Sequence, residues 1–558
     1  MSGNVENRKA WNLNNINSGI QYAIFALFLL SFLPILFCVI VFGAGLDYQE
    51  VCKLATLVSN KVLFLVAVIA IMVFTGVYYV LERVRIPGSI SVSRSRFWTK
   101  WGTVAVAGAL FAAFTAVYFL NVEICKCIWM EQGWDVKCLV EGARALAHSV
   151  PIGEEQYFAI YSNNVPITYF MALLYDKAER MANYPYPYDF IWIQVICAMI
   201  SVAGFVMCMA VRKMLRKPAA VLAAFFLYIG CVCATPWKTA PYTDMFAVLF
   251  PVLCLSIYVF CCHEKRPVIK CLLWVLILVS AIAGALVKPT VLVVLIAIVV
   301  MEILQGVTHL RKQWKLLFVK ICLLVAAGVL LTASKNYIYE EAGYSVNENA
   351  AVTYHHYLLM GLNEETTGGY HPDILAFHGK FATPKERIPA QWEAIGEELA
   401  AKGVWGYLDF IKRKMVMTFN DGAFGWGREG DFSYDAYPVL TDASYAVFLR
   451  DVFWPDFLYS GRFSTYSQLV WLLILCTIPG LCLAEKNNRH LAVTMALSIL
   501  GIILYLMLFE ARSRYLLCFL PVFVMAAAIG LLQYCRLLNK WAVPLLRRAI
   551  MYLTKKKK

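Results

Sequence analysis

The 558-residue chain is 61% hydrophobic and only 15% charged, where a soluble protein would carry about a quarter charged residues. Apolar runs of about twenty residues recur along it, which marks a polytopic membrane protein, and the mean hydropathy of +0.65 agrees. The formal net charge of +14 lies mainly in short loops, where Lys and Arg set membrane orientation, so it gives no reason to expect a nucleic-acid partner.

Residues 1–20 are polar. The apolar run that follows has no small-residue cleavage site after a short core, so it reads as a retained span over 21–44 and not as a signal peptide. An acid-tinged loop with Asp47 and Glu50 leads to a second span over 62–81. Arg83, Arg85, Arg94, Arg96 and Lys100 then make a basic loop, expected to be cytoplasmic. The third span, 102–121, therefore exits, and Trp134-Asp135 falls outside.

Residues 122–188 form a first large outer loop. In it, 140–150 is amphipathic and suited to the interface. Residues 164–176 give an apolar helix too short to cross, expected to lie on the membrane or dip into it. Tyr184-Pro185-Tyr186-Pro187-Tyr188 is a rigid aromatic turn at head-group level. Spans over 190–211, 219–234 and 245–262 follow, with Arg212-Lys213, Arg216-Lys217 and His263-Glu264-Lys265-Arg266 at their inner ends. A seventh and an eighth span form a hairpin broken at Lys288-Pro289-Thr290, on the outer face, and a ninth covers 316–333.

Residues 334–465 form a second outer segment, expected to be helices and loops without a β domain. It holds a basic amphipathic stretch over 407–419 and the turn glycines Gly422, Gly425 and Gly427, to which no chemistry is assigned. Spans over 467–484, 491–509 and 516–534 lead to a basic tail ending at Lys555–Lys558, an anionic-lipid anchor. The predicted fold is an all-α polytopic bundle of about twelve transmembrane helices, with two large extracytoplasmic regions carrying interfacial helices. Both termini are expected to be cytoplasmic, in a bacterial plasma membrane. The chain divides into an N-terminal part (1–101), a core with the first outer loop (102–333), the second outer segment (334–465) and C-terminal spans (466–558).

No Walker loop and no dinucleotide glycine pattern is present. An activated substrate for an outward-facing site would then arrive on a membrane lipid. Sugar transfer from a lipid phosphate needs a carboxylate base, contributing roughly 10²–10⁴ in rate, and cations for the leaving phosphate. Asp135 is the candidate base, beside Trp134 at the head-group layer; the alternative is an ordinary interfacial acid on a solvated loop. Lys238, Lys288, Arg512 and Arg514 are candidates for the phosphate, Lys288 the sharpest because it interrupts an apolar hairpin. Asp244 is a second acid, a metal ligand or simply a partner of Lys238. His355 and His356 are adjacent and point apart, a weak arrangement for a metal. The cysteines lie mostly inside apolar runs, where they act as small hydrophobes, and Cys125-Lys126-Cys127 lacks zinc spacing.

Taken in order, Trp134-Asp135 after a span, Tyr161-Ser162-Asn163-Asn164-Val165-Pro166, Pro241-Tyr242-Thr243-Asp244, Lys288-Pro289-Thr290 and Glu510-Ala511-Arg512-Ser513-Arg514-Tyr515 resemble bacterial membrane glycosyltransferases of the GT-C superfamily. Within it the chain resembles glycosyltransferase family 39, the protein O-mannosyltransferase-like group; the aminoarabinose transferase of lipid A is a more distant cousin. The resemblance covers about residues 100–535. It implies a polyprenyl-phosphate sugar donor, Asp135 as the catalytic acid of the first outer loop, and a glycan, lipid or protein acceptor outside the cell. Trp134, Asn163, Asn164, Tyr242, Asp244, His355, His356 and Glu510 are then the acceptor- and sugar-site candidates. Many members carry a second acid beside the first; here residue 133 is Gly, residue 137 is Lys and only Glu131 is near, so the motif does not support a divalent metal. A transporter or flippase of lipid-linked glycans is the alternative, and would show inverted repeats and polar midplane residues. A docking scaffold for envelope assembly is the third.

Overall fold

The computed structural model describes residues 2–43, 56–83, 96–152, 156–308, 310–429 and 432–555. Asp47, Glu50, Arg85, Arg94 and the last three lysines lie outside the described residues. The helices used below are α1 (Ser2–Phe42), α2 (Asn60–Arg83), α3 (Arg96–Ile128), α4 (Trp134–Ala147), α5 (Val165–Glu179), α6 (Phe190–Leu215), α7 (Pro218–Tyr228), α8 (Leu249–His263) and α9 (Pro267–Val287). They continue as α10 (Leu292–Thr308), α11 (Leu310–Glu341), α12 (Tyr354–Met360), α13 (Pro384–Phe419), α14 (Tyr445–Phe453), α15 (Ser460–Thr477), α16 (Arg489–Leu508) and α17 (Leu520–Lys555).

Among the described residues, 11 helices are long and apolar enough to cross a membrane. The shorter apolar segment Pro218–Cys233 fills the place of the expected fifth span. It ends in a π-helical turn, Ile229–Cys233, before the turn that begins at Thr235. The all-α polytopic fold is thus as the hydropathy pattern predicts.

Helix α17 lies at the centre, packed against α2, α6, α7, α8, α15 and α16. Its run Ala526-Ala527-Ala528 is completely buried. At Gly530 the helix meets the backbone of Thr477 and Gly480 so closely that an added Cβ would lie 2.0 Å from the Thr477 carbonyl oxygen. Small residues let apolar helices approach this way where lipid offers no hydrophobic driving force. Pairs α3–α6, α6–α8, α8–α9, α1–α16 and α10–α16 complete the bundle.

The two long inter-span segments, 122–188 and 334–465, cover one end of it. Helix α4 begins at Trp134, not near 140, so Asp135 sits in the first turn of a helix and not on a solvated loop. An acid is favourable there, because it faces the unpaired N–H groups and the positive end of the helix dipole. Val136, Leu139, Val140 and Ala143 form the buried face of α4, which packs on α5. At 15 residues, α5 is too short to span, as expected. The basic stretch over 407–419 is the C-terminal part of α13, beyond a kink at Gly403 (φ 56°). A two-residue antiparallel pair, β1 (Glu131–Gln132) with β2 (Phe432–Ser433), fastens the first of these segments to the second. Hydropathy gives no sign of so short a ladder.

Candidate functional site

The site forms where five segments meet: the start of α4, the turn 235–244, the break between α9 and α10, the turn 421–429 and the segment 510–515. The break follows from sequence. Pro289 disfavours helical geometry at Lys288, which turns extended (φ −152°, ψ 110°) and ends α9.

At the centre is Asp244, 1% exposed. One carboxylate oxygen accepts from Lys288 Nζ, the other from Arg514 Nη1 at 3.0 Å. Arg514 Nε donates to Glu429 Oε2 at 2.9 Å. Two cations and two anions thus close a charge-balanced buried chain, the arrangement that makes buried charges tolerable. The Arg514 guanidinium also lies 4.1 Å from the centre of the Trp134 ring and 4.8 Å from that of Tyr242. Lys288 and Arg514 are therefore already paired, and Asp244 does not pair with Lys238. Lys238 is fully buried elsewhere, its Nζ donating at 2.8 Å to Asn121 Oδ1 and to the Cys233 carbonyl. With both bonds spent inside the bundle it is a structural tie and not a ligand for phosphate.

Asp135 lies beside this chain. Its Oδ2 accepts a 2.8 Å hydrogen bond from the Tyr242 hydroxyl. Burial pushes its carboxyl above the ordinary 3.8, while the Tyr242 bond and the charges of Arg514 and Arg512 oppose that rise. Glu510 repeats the pattern: its Oε1 accepts from the Tyr515 hydroxyl at 2.7 Å, and burial raises it above 4.5 against the pull of Arg512 and Arg514. Arg512 stands near both acids. It is half-buried and makes no ion pair or side-chain hydrogen bond among the described residues. The indole N–H of Trp134, next to Asp135, is buried without an acceptor. Trp134 itself adopts φ 47°, a strained backbone for a bulky residue, and such strain gathers at functional sites.

A polar row closes one side. Asn163 Nδ2 donates to Asn164 Oδ1 at 2.9 Å, and Asn164 Nδ2 donates to the Tyr157 hydroxyl at 2.6 Å. Tyr157 is in turn near Tyr242 and Asp135, whose charge helps hold its hydroxyl protonated. His355 and His356 are not part of this group. His355 packs on Tyr354 and Trp392, and His356 on Tyr357 and the buried His378. Tyr357, the next residue along α12, feels Glu510, Tyr161 and Asp135 instead.

Two contributors escape the sequence reading. Glu429 lies just past the glycine turn, and Gly425 clears room for it: an added Cβ would sit 2.8 Å from Glu429 Oε1. Lys414, fully buried, donates to the carbonyls of Gly361 (2.6 Å), Phe509 (2.7 Å) and Met507 (3.2 Å). It clamps the turn after α12 onto the end of α16, one residue before Glu510. Burial brings its ammonium down to about 7, with Glu510 opposing.

Among the described residues no three His, Cys, Asp or Glu side chains group as a metal site. The two acids that Arg514 brings together, Asp244 and Glu429, are neutralised by Arg514 and Lys288, so this donor set does not fit a divalent ion.

Fold and site together define an integral membrane protein of many spans with a buried ionic site where its two long inter-span segments meet the bundle. A family described as "Conserved hypothetical integral membrane protein" matches residues 13–534, and the chain belongs to it. That description names no reaction. No curated protein and no solved structure matches the chain.

Proposed function

We propose that the protein is a GT-C-type membrane glycosyltransferase, passing a sugar from a polyprenyl-phosphate carrier to a hydroxyl of an extracytoplasmic glycan, lipid or protein. The observation that carries the reading is Arg512, a partly accessible cation with no ion partner among the described residues, beside Asp135, whose carboxyl burial raises above its ordinary value. A site that only stabilised the fold would balance that charge, as it does for Lys288 and Arg514.

In this reading Asp135, ionised, accepts the proton of the acceptor hydroxyl as its oxygen attacks the anomeric carbon. The bond from that carbon to the phosphate oxygen breaks, and the phosphate leaves with the bonding pair, its growing charge met by Arg512. One base and one direct displacement give inversion at the anomeric carbon. Tyr242 fixes the orientation of Asp135, and the free N–H of Trp134 is placed to hold a sugar oxygen. A carrier for lipid-linked glycans would instead need its ionic groups at mid-membrane; the four-residue ionic chain here sits where helices end.

Asp135→Asn tests this. Asp135 accepts from Tyr242, and the amide oxygen of Asn can do the same without a buried charge, so the protein should insert as before and melt no lower. Transfer should fall by at least about 10². Envelope glycans compared by mass spectrometry between cells carrying the two proteins would read it. Undiminished product from Asp135→Asn would overturn the proposal.

A further inference from the structure

A cavity of about 480 Å³ lies away from Asp135, between the end of the π-turn after α7, helix α14 and the first turns of α15. Ala234, Phe448, Val452, Phe453 and Phe463 give it apolar walls. Tyr466 closes one edge by donating to the Gly230 carbonyl at 3.1 Å. Helix α15 opens a membrane span, Ser460–Leu483, so the cavity stands at the end of that span, where acyl chains give way to head groups. Val447, Phe448 and Leu458 around it are exposed apolar side chains, unfavourable in water and at ease in lipid.

One cation lines this apolar space. Arg462 stands in the first turn of α15, exposed, its guanidinium 4.8 Å from the centre of the Tyr459 ring. It has no ion pair among the described residues. An apolar slot with an unpaired guanidinium at head-group depth complements one kind of molecule: an amphiphile with an alkyl chain and an anionic phosphate.

We propose that this groove binds an anionic glycerophospholipid, one acyl chain along Phe448, Val452 and Phe463, its phosphate on Arg462. The occupant is not the sugar donor of the transfer reading, because a wall of indoles stands between groove and Asp135. The Phe453 carbonyl accepts from Trp426 Nε1 at 2.6 Å; Trp426 packs edge-on against Trp237, and Trp237 against Trp134. A lipid here braces the end of α14 and, through that row, the residue beside Asp135.

The full chain, purified in detergent, would be titrated with dioleoylphosphatidylglycerol or dioleoylphosphatidylcholine and read by native mass spectrometry. The anionic lipid should be held about tenfold more tightly. Arg462→Gln should erase that preference without lowering the melting temperature in detergent, since the side chain has no ionic partner to lose. Val452→Trp should fill the slot and release both lipids. Equal retention of the two lipids by the unaltered protein, an anionic-lipid preference that survives Arg462→Gln, or lipid retention that survives Val452→Trp overturns the proposal. Retention is read without any sugar transfer, so this proposal and the transfer reading stand or fall separately.

Discussion

Arg512 and Arg514 are two positions apart and have opposite surroundings. Arg514 is 5% exposed and bound to two carboxylates; Arg512 is half-buried and bound to none among the described residues. Replacing each by Gln should therefore have different consequences. Arg514→Gln leaves Glu429 buried without a cation and Asp244 with only Lys288, a loss of about 3–5 kcal/mol by the usual cost of breaking a buried pair. A fall in melting temperature and in yield would read it. Arg512→Gln should leave the melt unchanged and lower donor turnover by about 10². It should also move the pH profile. Burial has already raised Asp135, so the acid limb of kcat/KM lies above the ordinary aspartate range, and loss of the nearby positive charge removes a lowering influence and shifts the limb further up. A limb that stays put or moves down would show that Arg512 does not act on Asp135. For stability the sign is the reverse of the usual carboxylate case. Both Asp135 and Glu510 are raised, so their contribution is complete below the ordinary values of 3.8 and 4.5 and is lost as pH rises through the raised ones.

Among the elements, the turn between α13 and β2 carries the least expected role. Composition marks its glycines as turn residues, and Gly425 and Gly427 do adopt positive φ (77° and 78°). What composition does not reveal is that the turn aims Glu429 at Arg514 and that Asp421 caps it, accepting from the Gly425 N–H at 2.6 Å. Gly425→Ala should cost roughly 1–2 kcal/mol for the left-handed backbone, and the crowding against Glu429 should displace it from Arg514. Gly396→Ala is the matched control: in α13, with nothing near its Cβ position, it should gain about 0.4–1 kcal/mol. Equal melting temperatures for the two variants would remove the argument. The same turn shows where sequence reading ends. Asp135, Asp244, Lys288 and Arg514 are legible because a charge at the edge of an apolar run is costly and draws notice. Glu429 and Lys414 lie in mixed-composition segments where charge is ordinary, and only the fold shows them buried. Lys238 fails in the other direction: the edge of a span drew notice to it, yet its ammonium is satisfied by an amide and a carbonyl inside the bundle.

For the whole molecule, hydropathy foretells the spans because each must satisfy its backbone within itself in lipid, which demands long apolar runs. Which ends of the spans share a face is an independent matter, and packing supplies it. Arg212 donates to the Gly102 carbonyl, Asn488 to the Met214 carbonyl, and Arg489 lies over the Tyr22 ring. These contacts gather the basic end of α6, the start of α16 and the part of α1 around Tyr22 near Gly102 of α3. Asp244, Lys288 and Glu510 lie at the opposite ends of their spans, and Asp135 and Asn420 join that end through Tyr242 and the Gly43 carbonyl at the end of α1. Positive residues favour the cytoplasmic face, so the site end should face outward. Lys137, one turn from Gly133 and half-exposed, marks the site end; Lys265, exposed in the turn between α8 and α9, marks the other. A membrane-impermeant maleimide should label Lys137→Cys in intact cells, and should label Lys265→Cys only after permeabilisation. The native cysteines are mostly buried and should add little background. The reverse pattern would put Asp135 in the cytoplasm, where nucleotide sugars are at hand, and a lipid-borne donor would lose its rationale.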